Sequence, residues 1–336
     1  MTLLKRAKIK EDLSLDSTLR PGSWNEYVGQ ENIKRNLKIL SGAAKERGEP
    51  LEHLLFYGPA GLGKTTLAHI IAKEMSSPIK ITSGPALEKV GDLASVLTNL
   101  SSNDILFIDE AHRLNKMIEE VLYPAMESRS LNIIIGKGPS ARTLQLDLPP
   151  FTLLAATTRV SLLSSPLRSR FSGGTFKLEF YTVPEIERII GRSAEILGIR
   201  AEKEALLKIA ECSRCTPRVA NRLLKRCRDY AQVNKKVFLD IKTTEEALGL
   251  LEIDKAGLEQ ADRSILLTII NKFNGGPVGL QALAAAASEE TATIEEVYEP
   301  YLMQLGFIER TRTGRMATKR AYEHLGLPFP RQDTLL

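Results

Sequence analysis

Apolar residues between His53 and Phe180 come in short runs, each closed by Gly, Pro, Asp or Ser: Leu54–Tyr57, Ile79–Thr82, Ile105–Ile108 and Phe151–Ala156. Amphipathic stretches separate them. That rhythm predicts buried parallel strands with helical crossovers. From Val183 to about Leu251 no comparable runs occur. Val219, Leu223 and Cys227 recur every four residues there, with Leu224 and Ala231 beside the same stripe, which predicts helices with one apolar face. A polar stretch, Glu252–Asp262, reads as a linker. Beyond it, Arg263–Phe273 predicts a helix and Asn274-Gly275-Gly276-Pro277 a break. Leu280–Ser288 and Thr291–Leu305 predict two more helices, and Phe307–Thr311 and Arg315–Thr318 flank a turn at Gly314 as in a hairpin. Three helices and a hairpin suggest a winged helix-turn-helix. The expected domains are residues 1–180, 181–254 and 255–336.

One insert interrupts the strand–helix rhythm. Leu131, Ile133 and Ile135 alternate, as do Leu144, Leu146 and Leu148, with Gly136-Lys137-Gly138-Pro139 between them and Ile134 on the other face. This predicts a long apolar hairpin, and an apolar hairpin projecting from a core needs a partner.

Composition changes this picture little. The 336 residues are 43% hydrophobic and 26% charged, with a net charge of +5, which favours a polyanionic partner only weakly. No apolar run approaches the ~18 residues needed to span a membrane. Met1–Asp12 scatters charges and has no apolar core of a secretory signal, so a cytoplasmic location without membrane attachment is expected. Cys212, Cys215 and Cys227 are too few for a disulfide framework. Cys212 and Cys215 spell C-x-x-C, but without a second pair or nearby histidines zinc is not expected.

The chemistry starts at Gly58-Pro59-Ala60-Gly61-Leu62-Gly63-Lys64-Thr65, which satisfies G-x-x-x-x-G-K-[ST] between an apolar strand and an apolar-periodic helix. Glycines let backbone amides close around phosphates, and the helix N-terminus adds its positive dipole end. Lys64 should reach the β- and γ-phosphates of ATP, and the Thr65 hydroxyl should ligate Mg2+. Ile105–Glu110 supplies the second half: an apolar strand ending in two carboxylates. Asp109 would hold Mg2+ through water, and Glu110 would polarise the attacking water. Asp109-Glu110-Ala111-His112 and Ser213-Arg214-Cys215 also spell motifs of a helicase class and of clamp loaders. Strings that short arise easily by accident.

Longer strings carry a resemblance. Leu153–Arg159 ends a strand in polar residues, Arg168 and Arg170 precede Phe171, and Thr216-Pro217-Arg218 opens a helix. Together with the P-loop they look like an AAA+ ATPase. The resemblance is closest to the RuvB family of Holliday-junction branch-migration motors. It rests on Leu19-Arg20-Pro21, Glu26–Gln30, Thr82–Pro85, Glu119–Glu127, Leu148–Thr152, Gly275–Leu280 and Gly314–Thr318, and spans roughly residues 16–326. It implies an α/β AAA+ P-loop domain (parallel sheet with flanking helices), a small all-helical lid domain and a C-terminal winged helix.

The resemblance implies roles as well. Thr158 would be the sensor that orients water, and Arg170 the arginine finger acting on ATP of the neighbouring subunit. Arg218 would be the second sensor, on the γ-phosphate. Leu19, Arg20, Tyr27 and Val28 would line the adenine end, Gly61, Leu62, Gly63 and Thr66 would complete the P-loop contacts, and Glu127 and Tyr181 would lie near the nucleotide. A finger acting in trans requires a ring, and the resemblance implies the family's homohexamer. Duplex DNA at a Holliday junction would be the substrate, RuvA would dock on the 131–148 hairpin, and RuvC would join in the resolvasome.

The chain departs from the family at three places. Cys215 stands where Gly is usual, Ser128-Arg129 follow Glu127, and Ser172–Phe176 is dissimilar.

For DNA, the hairpin holds Arg310, Arg312, Arg315, Lys319 and Arg320 against Glu309 alone, although the unit from Lys255 onward has 9 basic and 10 acidic residues. Charge focused on the wing suits phosphate contact. Arg310 and Arg315 match family positions. Arg214–Arg228, with six basic residues and no acid, is either a second contact or a solvated helix face. Two rivals remain at this level: a clamp-loader-like assembly ATPase and a nucleotide-gated DNA-binding regulator.

Overall fold

The computed structural model describes residues 18–135 and 142–330. Met1–Asp12 and the Gly136–Pro139 break lie outside the described residues. The chain forms two compact units, residues 1–180 and 181–336.

The first unit begins with α1 (Glu31–Arg47), which buries Ile33, Leu37, Ser41 and Ala44 and ends on Gly48 in the left-handed conformation. Then follow β1 (Leu54–Tyr57), α2 (Lys64–Glu74), β2 (Ile79–Ser83), α3 (Val90–Thr98), β3 (Ile105–Asp109), α4 (Lys116–Glu127), β4 (Ser130–Ile135), β5 (Arg142–Asp147), β6 (Thr152–Thr157), α5 (Ser165–Ser169) and β7 (Gly174–Lys177). Five strands form a parallel sheet in the order β2-β3-β6-β1-β7. The three central strands carry the expected apolar runs, fully buried at Leu54, Phe56, Leu106, Phe107 and Leu154.

Two expectations need correction. Ile79–Thr82 is a strand but not a buried one. It lies at the sheet edge, and Ile81 is 52% exposed. The other edge, β7, overlaps Ser172–Phe176, where no strand was expected. Gly174–Lys177 has too little apolar pattern to announce itself, and its register against β1 holds it, with Phe176 paired to Phe56.

Between β3 and β6, β4 and β5 form the expected antiparallel hairpin, with Leu131 opposite Leu146 and Ile133 opposite Leu144. Leu131 and Leu148 anchor its base in the core, Leu146 packs against that core, and Leu144 is 43% exposed.

The second unit opens with four helices: α6 (Val183–Ile196), α7 (Lys203–Glu211), α8 (Pro217–Val233) and α9 (Ile241–Leu250). A Thr182/Glu185 capping box starts α6. The α8 stripe is Ala220, Leu223, Leu224, Cys227 and Ala231, so Ala220 rather than Val219 leads it. Next come α10 (Gln260–Lys272), α11 (Leu280–Ala287), α12 (Thr291–Thr293), a π turn at Ile294–Tyr298, α13 (Glu299–Gln304), β8 (Ile308–Arg310), β9 (Arg315–Ala317) and α14 (Lys319–Leu325). Pro300 has no amide to offer the helical ladder, a local reason for the wider turn before it. Val278 bridges to Arg315 on the far side of β9 and adds a third segment of chain to the two-stranded β8–β9 wing. Gly314 permits this approach, because its φ is +150° and a Cβ there would meet Val278 O at 2.3 Å.

Glu252–Asp262 is not a free linker. Leu258 is wholly buried in the C-terminal core, Asp254 Oδ1 accepts from the amides of Ala256 and Leu258, and Asp262 belongs to the first turn of α10. Asp254, Glu259 and Asp262 cap backbone or pair with cations, while Glu252, Lys255 and Gln260 face solvent.

Candidate functional site

The P-loop connects β1 to α2. Gly61 and Gly63 have φ of +83° and +94°, a backbone path that L side chains resist, and Gly63 is the residue at which α2 begins. Leu62 is fully buried beneath the loop, while Thr66 is half-buried in the first turn of α2. Lys64 is 8% exposed, and its Nζ donates to Gly58 O and Pro59 O, both at 2.8 Å. The ammonium therefore lies folded over the loop.

β6 runs between β1, which feeds the P-loop, and β3, which ends at Asp109. This order brings Thr65 to Asp109: Thr65 Oγ1 donates to Asp109 Oδ2 at 3.1 Å. Asp109 Oδ1 accepts from the Glu110 amide at 2.9 Å. Glu110 is exposed and has a left-handed φ of 49°, unusual for a residue with a Cβ and costing about 1–2 kcal/mol. Its carboxylate lies 3.5 Å from Arg113.

A positioning contact escaped the sequence reading. A Cβ on Gly84 would lie 2.4 Å from Glu110 O, so only glycine lets the end of β2 pack under Glu110. The Thr82–Pro85 string marked the position without its reason.

Thr158 follows the last residue of β6 and is half-buried. Its neighbour Thr157 accepts from the Arg159 amide at 3.0 Å and meets His112 Nδ1 at 3.1 Å, a link that sequence reasoning also missed.

Arg170 ends α5. Its Nη1 donates to Pro166 O at 2.7 Å and its Nη2 to Glu127 Oε2 at 3.2 Å. Nε faces Glu127 Oε1 at 3.2 Å without hydrogen-bond alignment, and the guanidinium lies over the Tyr123 ring at 4.3 Å. The structure thus joins two expected residues, Arg170 and Glu127, to each other. Glu127 is 58% exposed, so this pair contributes under about 1 kcal/mol and is readily exchanged. After Glu127, Ser128 bonds Pro124 O and Ser130, and Arg129 takes a left-handed φ of 53°.

Leu19 and Tyr27 are buried in the first unit, with Val28 half-buried beside them in sequence. Arg20 lines a shallow depression with His69 and Lys73, along the later turns of α2. Burial first, and the Arg20 charge second, push the His69 imidazole below its ordinary pKa.

Tyr181 and Arg218 belong to the second unit. Tyr181 is 3% exposed and its amide donates to Cys215 O at 3.0 Å. Arg218 is exposed in the first turn of α8.

In the wing, Arg310 and Arg315 converge on one acid that the charge count overlooked. Glu299 is 2% exposed. Arg310 bonds it through Nε at 3.0 Å and Nη2 at 2.9 Å, and Arg315 through Nε at 3.1 Å and Nη2 at 3.2 Å. Burial alone would push the Glu299 carboxyl up, but the hydrogen bonds and charges of both arginines hold it below the ordinary range. The Arg315 side chain is 13% exposed and that of Arg310 46%. Arg310 is therefore the more accessible of the two.

The basic stretch Arg214–Arg228 is largely paired within the unit. Arg214 meets Asp262, Arg222 meets Glu259, and Arg226 and Arg228 meet Asp229. All three cysteines are free, and burial pushes the Cys212 and Cys227 thiols up to about 11 and about 12. Among the described residues no helix is long and apolar enough to cross a membrane.

Three family models match the chain: the Holliday junction DNA helicase RuvB P-loop domain over residues 19–178, the RuvB AAA lid domain over 181–254 and the RuvB C-terminal winged helix domain over 255–326. The Holliday junction branch migration complex subunit RuvB of Dehalococcoides mccartyi (strain CBDB1) is 56% identical over 327 residues, covering 97% of this chain and 93% of that protein. The solved structure of the Thermotoga maritima RuvB Holliday junction branch migration motor is 50% identical, with a TM-score of 0.86 over 93% of this chain and 100% of that one. A point variant of the same Thermotoga maritima protein gives 0.85 at the same identity, over 93% of this chain and 99% of that one.

Proposed function

The chain belongs to the RuvB family, and from that premise we propose how its own residues drive Holliday-junction branch migration. It is a P-loop ATPase and a branch-migration motor, and RuvA would be its partner. The observation that carries the assignment of chemistry to residues is the convergence of Lys64, Thr65, Asp109 and Glu110 at the ends of β1 and β3.

Lys64 would exchange the Gly58 and Pro59 carbonyls for the β- and γ-phosphates. The Thr65 hydroxyl and Asp109 carboxylate, 3.1 Å apart, are hard oxygen donors suited to Mg2+. Phosphate oxygens and water would supply the remaining ligands. When bound, Mg2+ neutralises charge developing on the phosphates. Glu110, fixed by the Gly84 contact and exposed, would accept a proton from the attacking water while Thr158 orients it. Gly61, Leu62, Gly63 and Thr66 would cradle the phosphates, with Leu19, Arg20, Tyr27, Val28, Glu127 and Tyr181 around the nucleotide and Arg218 as second sensor.

Arg170 would leave Glu127 to reach ATP in the neighbouring subunit of a homohexamer. Such a finger is worth about 10³–10⁵ in rate in comparable systems. The wing, through Arg310 and Arg315, would hold duplex DNA, the β4–β5 hairpin would dock RuvA with the exposed Leu144 near its end, and RuvC would join on the same junction in the cytoplasm. Domain boundaries at 180/181 and 254/255 suit these roles.

Subunit mixing tests the arrangement. Arg170→Ala and Glu110→Gln proteins should each be nearly inactive, yet their mixture should regain ATPase activity, because an Arg170 from one subunit then serves a Glu110 in another. A mixture as inactive as its parts contradicts a finger acting in trans.

A further inference from the structure

Arg214 has no part in the ATP site described above, yet it is one of the most deeply held charges in the second unit. Its Nη1 lies 3.3 Å from Asp262 Oδ2 and its Nη2 3.1 Å from Asp262 Oδ1, a two-pronged bridge. Nη2 also donates to Val297 O at 3.0 Å, and the guanidinium lies over the Tyr301 ring at 5.0 Å. The Arg214 side chain is 10% exposed and Asp262 is wholly buried. Asp262 has a second task, since it accepts from the Glu259 amide at 2.9 Å in the capping box of α10.

The backbone is bent to make this contact. Arg214 and Cys215 both take left-handed φ values, 57° and 53°. Two consecutive residues with Cβ atoms in that region persist only where surrounding contacts hold them. Here the Arg214 side chain is clamped, and Cys215 packs against the C-terminal core. The glycine usual at this family position would relieve the backbone but leave that packing unmade.

The location gives the bridge its meaning. Arg218 opens α8 four residues after Arg214. On the other side, the chain that accepts Arg214 at Val297 carries Glu299 two residues later, and Glu299 grips Arg310 and Arg315. A path of side-chain contacts and short chain segments therefore links the start of α8 to the base of the wing: four residues of chain from Arg218 back to Arg214, its bonds to Asp262 and to Val297 O in the π turn, and two residues of chain on to Glu299.

We propose that the Arg214–Asp262 bridge is the joint that carries displacement of the helical lid to the DNA-holding wing, so that both move as one lever. Arg214 and Asp262 are positioning residues for translocation and take no part in hydrolysis. This rests on the reading that Arg218 meets the nucleotide and Arg310 and Arg315 meet DNA.

The test uses Asp262→Asn, which keeps an oxygen for the Glu259 amide, and the double variant Arg214→Met/Asp262→Asn, which leaves no unpaired charge if the single variant folds poorly. Two quantities are read in the full-length protein: ATP hydrolysed per four-way junction dissociated, and the spread of distances between spin labels on unnatural amino acids at positions 237 and 323. The expected result is basal hydrolysis within about twofold of wild type, with ATP consumed per junction rising about tenfold. The single narrow label distribution of the wild type should broaden. A merely structural role would lower hydrolysis and junction movement together, and that result overturns the proposal, as does unchanged coupling with an equally narrow distribution. Failure of the wild type itself to dissociate junctions would instead defeat the motor reading beneath it.

Discussion

The ATP site of the first unit and the wing base of the second hold their charged residues in opposite ways. In the first, Lys64 rests on two loop carbonyls, Thr65 touches Asp109, and Arg170 meets a Glu127 that is more than half exposed. In the second, Arg214 and Arg315 are 10% and 13% exposed and are gripped by acids exposed at 0% and 2%. The first arrangement leaves cations that a polyphosphate can take over at little cost. The second commits them to the fold, where removing one partner strands the other in a medium that solvates charge poorly. Exchangeable charges suit a site that cycles through ligand states, and committed charges suit parts that must transmit force without yielding.

Substitutions can break this contrast. Lys64→Ala should have the largest effect, lowering ATP turnover about 10³-fold. Its denaturation midpoint should stay near wild type, because only two loop carbonyls lose a donor. A large stability loss would place Lys64 with the committed charges.

Glu299→Ala should reverse the pattern. It strands the buried Arg315, while the half-exposed Arg310 keeps Glu295 and solvent, and should cost about 3 kcal/mol in urea unfolding of the second unit, with little change in basal ATP turnover. The pH dependence sharpens the same point. The folded pKa of Glu299 lies below its ordinary value of 4.5, so its stabilising effect is full above that pH and is lost as pH falls through the folded value. Glu299→Gln should flatten that acid limb of the stability curve. An unchanged limb would mean that the two arginines do not hold the carboxylate.

Arg315→Ala should act more mildly, reducing DNA-stimulated hydrolysis several-fold while basal hydrolysis survives. Equal loss of both would assign Arg315 to the fold alone and leave DNA to the more exposed Arg310.

Much of the first unit was legible in the sequence because its constraints are local. A P-loop needs glycines at fixed spacing beside a strand and a lysine, and those residues are contiguous. The central strands declared themselves by continuous apolar runs. The edge strand β7 did not, since Gly174–Lys177 depends on pairing with β1 more than on its own pattern. In the second unit the misses share one cause. Glu252–Asp262 looked like a linker because it is polar, yet Asp254 and Asp262 are polar in order to cap backbone and pair with distant cations. Arg214 and Asp262 stand 48 residues apart, and Glu299 reaches the wing from a helix. Counting charges along a segment sees Glu309 and misses Glu299.

The central claim, that Glu110-dependent ATP hydrolysis moves four-way DNA junctions, is tested most directly by dissociation of a synthetic junction with and without RuvA, using Glu110→Gln as the control. Strand separation that requires ATP, is lost in Glu110→Gln and is stimulated by RuvA is the predicted result. Steady ATP hydrolysis with the junction left intact, when RuvA is bound and active, would contradict it.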